Sequence, residues 1–496
     1  MNVAPTDWTA RWARYTPHSI AVSDGERSLS YAELHRGGLC LAHFLLEKGL
    51  RKGDRIAVLA ENDPAYILLF VAAQKAGFVL VPVNYRLSGR EVAYILEDAE
   101  PALVIYQEGW QHVLPATDNG KPHPPRYELQ EIKSAATGTD VRSIIPESPA
   151  EDDPIFILYT SGTTGFPKGA LYTHRMLFWN SENTVLSLDL GPDSRTVNVM
   201  PPFHTGGWNV LTTPLLHRGG YTRLLRKFDA GEVLRLLEVE KVTVFMAVPT
   251  MVRMLAESSA FATTDLSELK YLIVGGEPLS PALIERWHRR GVPIRQGFGM
   301  TEVGPNLFSL HQDDALTKKG SIGRPNFYVQ TRVVRESGTD CAPDESGELW
   351  LRGPMTTPGY WRNAEATERA FSDGWFRTGD TVRRDAEDYF YVVGRLKEMY
   401  ISGGENVYPA EVERRLEEHP AVGETAVVGV PDPCWGEVGH AYIVLAPGAS
   451  VTAIDLQAYC RQGLAGFKVP KHFTFLEALP RNATGKVDRK ALKARK

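Results

Sequence analysis

Tyr159-Thr160-Ser161-Gly162-Thr163-Thr164-Gly165-Phe166-Pro167-Lys168-Gly169 is the stretch from which the rest of the chain is read. Residues 154–159 form a short apolar run rich in Ile, Leu and Phe, which predicts a buried strand. The run empties into glycines, hydroxyl residues and one lysine. Glycines let successive N–H groups turn inward, hydroxyls add donors and the ammonium adds a point charge, so the loop suits a polyphosphate. It is not a Walker A loop: the spacing G-x4-G-K-[ST] fails, and Gly169 follows the lysine where Ser or Thr would stand. Pro167 keeps the loop from running through Lys168 into a helix. Composition of this kind also suits a flexible connector. The literal string is far more specific.

Outward from this loop, strands and helices alternate. Ser30-Tyr31-Ala32-Glu33 is a capping box that predicts a helix to Gly49, and Ser88-Gly89-Arg90-Glu91 opens another to Ala99. Strands are predicted at 55–59, 79–83 and 103–106, with a helix over 66–76. Residues 113–153 read as a surface excursion. Downstream, Thr173 caps a helix to Leu188, residues 197–200 form a strand, and the alternation repeats through 232–289. The pattern predicts an α/β fold of mostly parallel sheets in αβ layers. Short strands at 330–334 and 347–351 among Gly, Pro and Asp turns add a small β-rich part. A boundary at 394/395 then gives a large domain, 1–394, and a small α+β domain, 395–496. In the latter Pro409 takes the first position of a helix.

At 496 residues the chain is long for one core, and 43% hydrophobic with 23% charged residues is ordinary for a globular protein. A net charge of -5 gives no electrostatic reason for nucleic acid or an anionic membrane as partner. The four cysteines, Cys40, Cys341, Cys434 and Cys460, form no C-x-x-C pair, as expected of reduced thiols in the cytoplasm. No stretch reads as a transmembrane segment or signal peptide.

Further motifs carry chemistry. Met200-Pro201-Pro202-Phe203-His204-Thr205-Gly206-Gly207-Trp208 ends a strand with a histidine, two glycines and an indole. Val274-Gly275-Gly276-Glu277-Pro278 ends another with little side chain to obstruct a flat ligand. Gln296-Gly297-Phe298-Gly299-Met300-Thr301-Glu302 puts an aromatic, a hydroxyl and a carboxylate on one short loop. Phe298 can stack on a base, Thr301 can donate to a phosphate, and Glu302 is a hard oxygen ligand for Mg2+. Asp380 offers a carboxylate after a tight turn, while Arg395 and Lys397 have the composition of a solvated linker.

Taken together and in this order, these strings resemble the adenylate-forming superfamily, and above all its AMP-forming acyl-CoA synthetases and acid–CoA ligases, of fatty-acid or 4-coumarate type. The resemblance covers essentially the whole chain. It implies that Thr160, Ser161, Gly162, Thr163, Thr164, Gly165 and Lys168 hold the ATP phosphates. Gly276, Glu277, Gln296, Gly297 and Phe298 would take the adenine side, and Asp380 and Arg395 the ribose and phosphate. Thr301 would meet the α-phosphate and Glu302 would hold Mg2+. His204, Gly206, Gly207, Trp208, Val248, Gly275, Gly299, Met300 and Val303 would take the acid, with Pro249 and Phe308 adding apolar wall. Gly403 and Gly404 would line the CoA tunnel, Lys397 would be the hinge of a mobile small domain, and Lys486 the catalytic lysine. The family more often has tyrosine where Phe298 stands, which costs a hydroxyl but keeps the stacking face.

The implied reaction activates a carboxylate, itself a poor electrophile. Attack on the α-phosphorus of MgATP gives acyl-AMP and pyrophosphate, and the thiol of CoA then displaces AMP. The substrates would be ATP, CoA and a fatty or aryl acid, with fatty acid slightly ahead; a homodimer is compatible with the family. Two alternatives share the ATP residues: a stand-alone enzyme that loads a carrier protein, and a nucleotide-binding protein without activity.

Overall fold

The computed structural model describes residues 7–115, 124–138, 147–160, 167–275, 279–402, 405–433, 435–464, 466–482 and 485–495. Ser161, Gly162, Thr163, Thr164, Gly165, Gly276, Glu277, Gly403 and Gly404 therefore lie outside the described residues. By contact the chain divides into two units, one of Met1–Gln330 with Leu351–Phe376, the other of Thr331–Trp350 with Arg377–Lys496.

In the first unit the helix Pro64–Ala76 is buried on every side, so its apolar residues run all the way round. Asp63 caps it, Pro64 takes the first position, and Gly77 ends it at φ +70°. The parallel strands Arg55–Leu59 and Val79–Pro82 flank it in sequence. They belong to a six-stranded sheet ordered Arg126–Glu128, Leu103–Tyr106, Arg55–Leu59, Val79–Pro82, Pro154–Thr160, Lys168–Thr173. Only the last pair is antiparallel. The strands on either side of residues 161–166 thus pair antiparallel, and from Lys168 the chain runs on as strand.

A four-stranded sheet (Ser28–Ser30, Ile20–Ser23, Tyr221–Leu224, Arg195–Asn198) and a five-stranded one (Val244–Ala247, Tyr271–Val274, Ile294–Met300, Gly304–Ser309, Arg324–Pro325) complete this unit's main sheets. Both mix parallel and antiparallel pairs. Capping boxes form at Ser30 and Ser88, and the predicted helices Tyr31–Glu47, Gly89–Ala99 and His174–Leu188 follow their caps. Within the excursion at 113–153, residues 124–138 are more ordered than their composition promises. Arg126–Glu128 extends the sheet edge, and the helix Leu129–Ala135 packs against Tyr31–Glu47 with Leu129 and Ile132 buried. Two apolar side chains suffice there, too few to mark a periodic pattern.

The second unit holds the antiparallel strands Trp375–Arg384 and Phe390–Arg395, in a sheet with Ser346–Arg352 and Gln330–Val334. Its other sheet is ordered Glu405–Val407, Tyr400–Ser402, Gly436–Leu445, Val422–Asp432, with His472–Phe475 parallel to Gly436–Leu445. Helices Pro409–Glu417 and Ala453–Arg461 help enclose its core, which includes Val412, Leu416, Val427, Ile443 and Leu456. Among the described residues no helix is long and apolar enough to cross a membrane.

Candidate active site

The phosphate-loop hairpin is anchored at both stems by one helix. From Gly89–Ala99, Asp98 accepts a hydrogen bond from the Tyr159 hydroxyl at 2.5 Å, and Tyr94 donates to the Pro167 carbonyl at 3.3 Å. Burial and the Asp98 carboxylate raise Tyr159, so its proton stays in place to donate. Gly169 is the glycine the hairpin requires, since an added Cβ would lie 2.5 Å from Ile157. Thr160 and Lys168 face each other as the last pair before the turn.

The segment Gly297–Glu302 is only partly a loop. Ile294–Met300 is a strand that turns at Thr301–Val303 into the antiparallel strand Gly304–Ser309. The glycines that signal a loop are there because backbones approach closely: a Cβ on Gly299 would sit 2.1 Å from the Pro305 carbonyl oxygen. Phe298 is half-buried, with Phe308 edge-on at 5.8 Å. The buried Gln296 carries an Oε1 with no hydrogen-bond partner among the described residues. Thr301 lies at the turn, and Glu302, just beyond it, is buried.

Sequence reasoning missed the partner of Glu302. The Tyr360 hydroxyl donates to Glu302 Oε1 at 3.0 Å, and Lys168 Nζ lies 5.5 Å from the centre of the same ring. Tyr360 is held by the return strand of the phosphate loop: Leu171 N–H donates to the Gly359 carbonyl at 3.1 Å and Trp361 N–H to that of Gly169 at 2.7 Å. An aromatic residue in a Gly-Tyr-Trp string carries no signal of this role by itself.

The acid-side residues separate. His204 caps the short helix Thr205–Asn209, its ring 4.7 Å from that of Phe203. Gly206 leaves room, since a Cβ there would meet only the Met246 and Met200 methyls at 3.7 and 3.8 Å. Gly207 does not: a Cβ would lie 2.4 Å from the Pro201 carbonyl oxygen. Trp208 belongs to the core, where it packs against Tyr66, Phe70 and Phe156 and donates to the Pro202 carbonyl at 2.7 Å. Val303 and Phe308 are fully buried as well. Trp208, Val303 and Phe308, expected as apolar wall, are thus buried in packing, while Met246, Val248, Pro249 and Met300 are half-buried. Gly275 ends its strand with the Gly297 carbonyl at ordinary contact distance, 3.6 Å, from an added Cβ.

In the second unit Asp380 and Arg395 are register partners on adjacent strands, and Arg395 Nε meets Asp380 Oδ1 at 2.7 Å. Asp380 is 2% exposed, and its Oδ2 has no hydrogen-bond partner among the described residues. Burial raises the carboxyl to about 6, against the opposing pull of Arg395, Lys486 and Lys397. Lys397 is itself lowered, by withdrawal from water and by the Arg395 charge. Lys486 is exposed on a tight turn, with its N–H donating to Asn482 Oδ1 at 3.1 Å, Asn482 N–H donating to its carbonyl at 2.8 Å, and Gly485 at φ +86°. One buried carboxylate thus pairs with Arg395, feels the charges of Lys486 and Lys397, and keeps an acceptor atom with no hydrogen-bond partner among the described residues. That is a donor-and-acceptor set fit for a ribose beside phosphates.

The AMP-binding enzyme model matches residues 9–361 and the AMP-binding enzyme C-terminal domain model residues 411–486. The feruloyl-CoA synthase of an Amycolatopsis species is 40% identical over 481 residues, 97% of this chain and 96% of the relative. The long-chain-fatty-acid–CoA ligase FadD13 of Mycobacterium tuberculosis is 37% identical over 465 residues, 92% and 91% of the two chains. Among solved structures, o-succinylbenzoate CoA synthetase from Bacillus subtilis with its acyl-adenylate intermediate superposes with a TM-score of 0.89 at 31% identity, covering 99% of this chain and 98% of that one. The same enzyme with ATP and magnesium ion gives 0.88 at 31%, over 98% and 99% of the chains. With acid–CoA ligases as relatives along its whole length, the chain belongs to the AMP-binding enzyme family and carries both the large and the C-terminal parts of it.

Proposed function

We propose that this member of the family is an AMP-forming acid–CoA ligase whose preferred acid carries an aromatic ring, with fatty acids second. The observation that supports the ATP half is the grouping of Lys168, on the return strand of the phosphate loop, and the buried Glu302 around one tyrosine. Lys168 with Thr160 and the residues of the 161–165 stretch would bind the β- and γ-phosphates. Glu302 would hold Mg2+, which neutralises clustered phosphate charge when bound. Thr301 would donate to the α-phosphate, Phe298 would stack on adenine, and Asp380 would take the ribose hydroxyls on its unused Oδ2. Lys486 would bridge the attacking carboxylate and the α-phosphate, where preorganised charge usually contributes much of the rate. The two sets would act on one ATP molecule, the domains 1–394 and 395–496 rotating about Lys397 between adenylation and thioester formation. His204 and the space beside Gly206 would admit the acid, and Gly403-Gly404 the pantetheine of CoA. The cytoplasm as compartment and a homodimer as assembly complete the proposal.

The order of acids reverses the one drawn from sequence. Feruloyl-CoA synthase and the indoleacetate–CoA ligase of Aromatoleum aromaticum, at 36% identity, are named for aryl acids. Methionine methyls beside Gly206 give a deformable wall, which suits a planar ring. A panel of acids from acetate to palmitate with benzoate, cinnamates and indoleacetate, scored by acid-dependent AMP formation, tests this. Cinnamate-type acids should lead; acetate as best substrate refutes the reading. Transfer to a holo-carrier protein in place of CoA would favour the carrier-loading alternative.

A further inference from the structure

Tyr360 lies between two groups of opposite charge. A direct pair between a buried carboxylate and an ammonium would engage the two charges with each other. Here the phenol separates them: its hydroxyl donates to Glu302 and its face receives Lys168. The backbone around it is fixed on both sides. Thr357 N–H donates to the Glu302 carbonyl at 2.7 Å, and Tyr360 N–H to Thr367 Oγ1 at 3.0 Å. Gly359 allows this close course, since a Cβ there would lie 2.5 Å from Thr367. One short segment therefore ties the carboxylate's backbone, the carboxylate's oxygen and the return strand of the phosphate loop together.

We propose that Tyr360 is a positioning residue for MgATP: its hydroxyl orients Glu302 toward the metal, and its ring holds Lys168 on a separate contact from that carboxylate. This rests on the reading of Glu302 as the Mg2+ ligand. The ring and the hydroxyl have separable roles. The hydroxyl orients the carboxylate, and the ring shields the ammonium.

The test is ATP binding without acid, so that no turnover occurs, followed by titration calorimetry at a series of Mg2+ concentrations. Y360F keeps the ring and removes the donor. The Mg2+ needed for half-maximal ATP binding should rise roughly tenfold, the scale of one lost hydrogen bond to a charged group, while affinity at saturating Mg2+ returns near that of the unsubstituted protein. Y360L removes the ring too, and should weaken ATP binding even at saturating Mg2+. A Mg2+ requirement unchanged in Y360F, or lowered, overturns the inference. E302Q separates the two levels. If E302Q leaves the Mg2+ requirement unchanged, the reading of Glu302 fails; if E302Q raises it and Y360F does not, the positioning role alone fails.

Discussion

Removing the charge from Asp380 should stabilise the unliganded protein while it weakens nucleotide binding. The carboxyl is buried, one oxygen is paired with Arg395, the other has no hydrogen-bond partner among the described residues, and the group is raised to about 6. In an unfolded chain it would titrate near 3.8. The folded state therefore binds the proton more tightly, so stability is fully present below the unfolded value and is lost as pH rises through 6. A difference of about two units at about 1.36 kcal/mol each puts the cost near 3 kcal/mol at pH 8, roughly half of that at pH 5, and under about 1 kcal/mol at pH 4. D380N has no such titration. It keeps an acceptor for Arg395 and replaces one unpartnered atom by another. Hydrogen exchange of the strands Trp375–Arg384 and Phe390–Arg395 without nucleotide reads the gain where it arises: protection in D380N should exceed that of the unsubstituted protein about a hundredfold at pH 8 and about tenfold at pH 5. ATP affinity should fall about 10- to 150-fold, the value of a hydrogen bond to a charged acceptor. Equal or lower protection in D380N at pH 8 would show that the buried charge is compensated and that the argument from desolvation is wrong.

The remaining predictions concern the half-reactions and acid. K486A should abolish acid-dependent pyrophosphate release yet still convert synthetic acyl-AMP and CoA to thioester; equal loss of both in a folded variant refutes the two-pose proposal. K397P, which fixes φ at the hinge, should spare adenylation and impair thioester formation, read in the same two assays. Burial lowers His35, His174 and His217 to about 4, so they stay neutral in the folded state while the unfolded chain takes up protons below about 6.5. Stability should fall as pH drops from 6.5 toward 4, by about 2 kcal/mol per histidine at pH 5, and a melting temperature flat from pH 7 to 5 would contradict it.

Elements with a cap or a stop were legible in the sequence. Ser30, Ser88 and Thr173 start their helices where the capping pattern puts them, and Pro409 opens its helix as its fixed φ predicts. Asp380 and Arg395, read separately, come together because adjacent strands pair them. Elements whose signal is tertiary were not legible. Gly297 and Gly299 read as loop yet sit in a strand, because glycine there answers a carbonyl across the hairpin. Trp208 read as pocket wall because an indole beside glycines looks ligand-facing. Its packing is set by Tyr66, Phe70 and Phe156, from elements distant in sequence. Tyr360 was silent for the same reason: its partners are 58 residues away at Glu302 and on the strand Lys168–Thr173.

The chain passes from the first unit to the second after Gln330, returns at Leu351, and leaves again after Phe376. During synthesis the strand Gln330–Val334 therefore emerges before the first unit has its last piece, Leu351–Phe376, in hand. That last piece includes Tyr360 and Thr357, which hold Glu302. The part of the first unit around Glu302 cannot mature until the ribosome has already delivered part of the other unit, so the two cannot fold strictly one after the other. Nor can a single cut in the gene separate them. A chain stopped before Phe376 would lack part of the first unit, and one begun at Arg377 would lack the strand Ser346–Arg352 that Thr378 bonds through the Leu349 carbonyl.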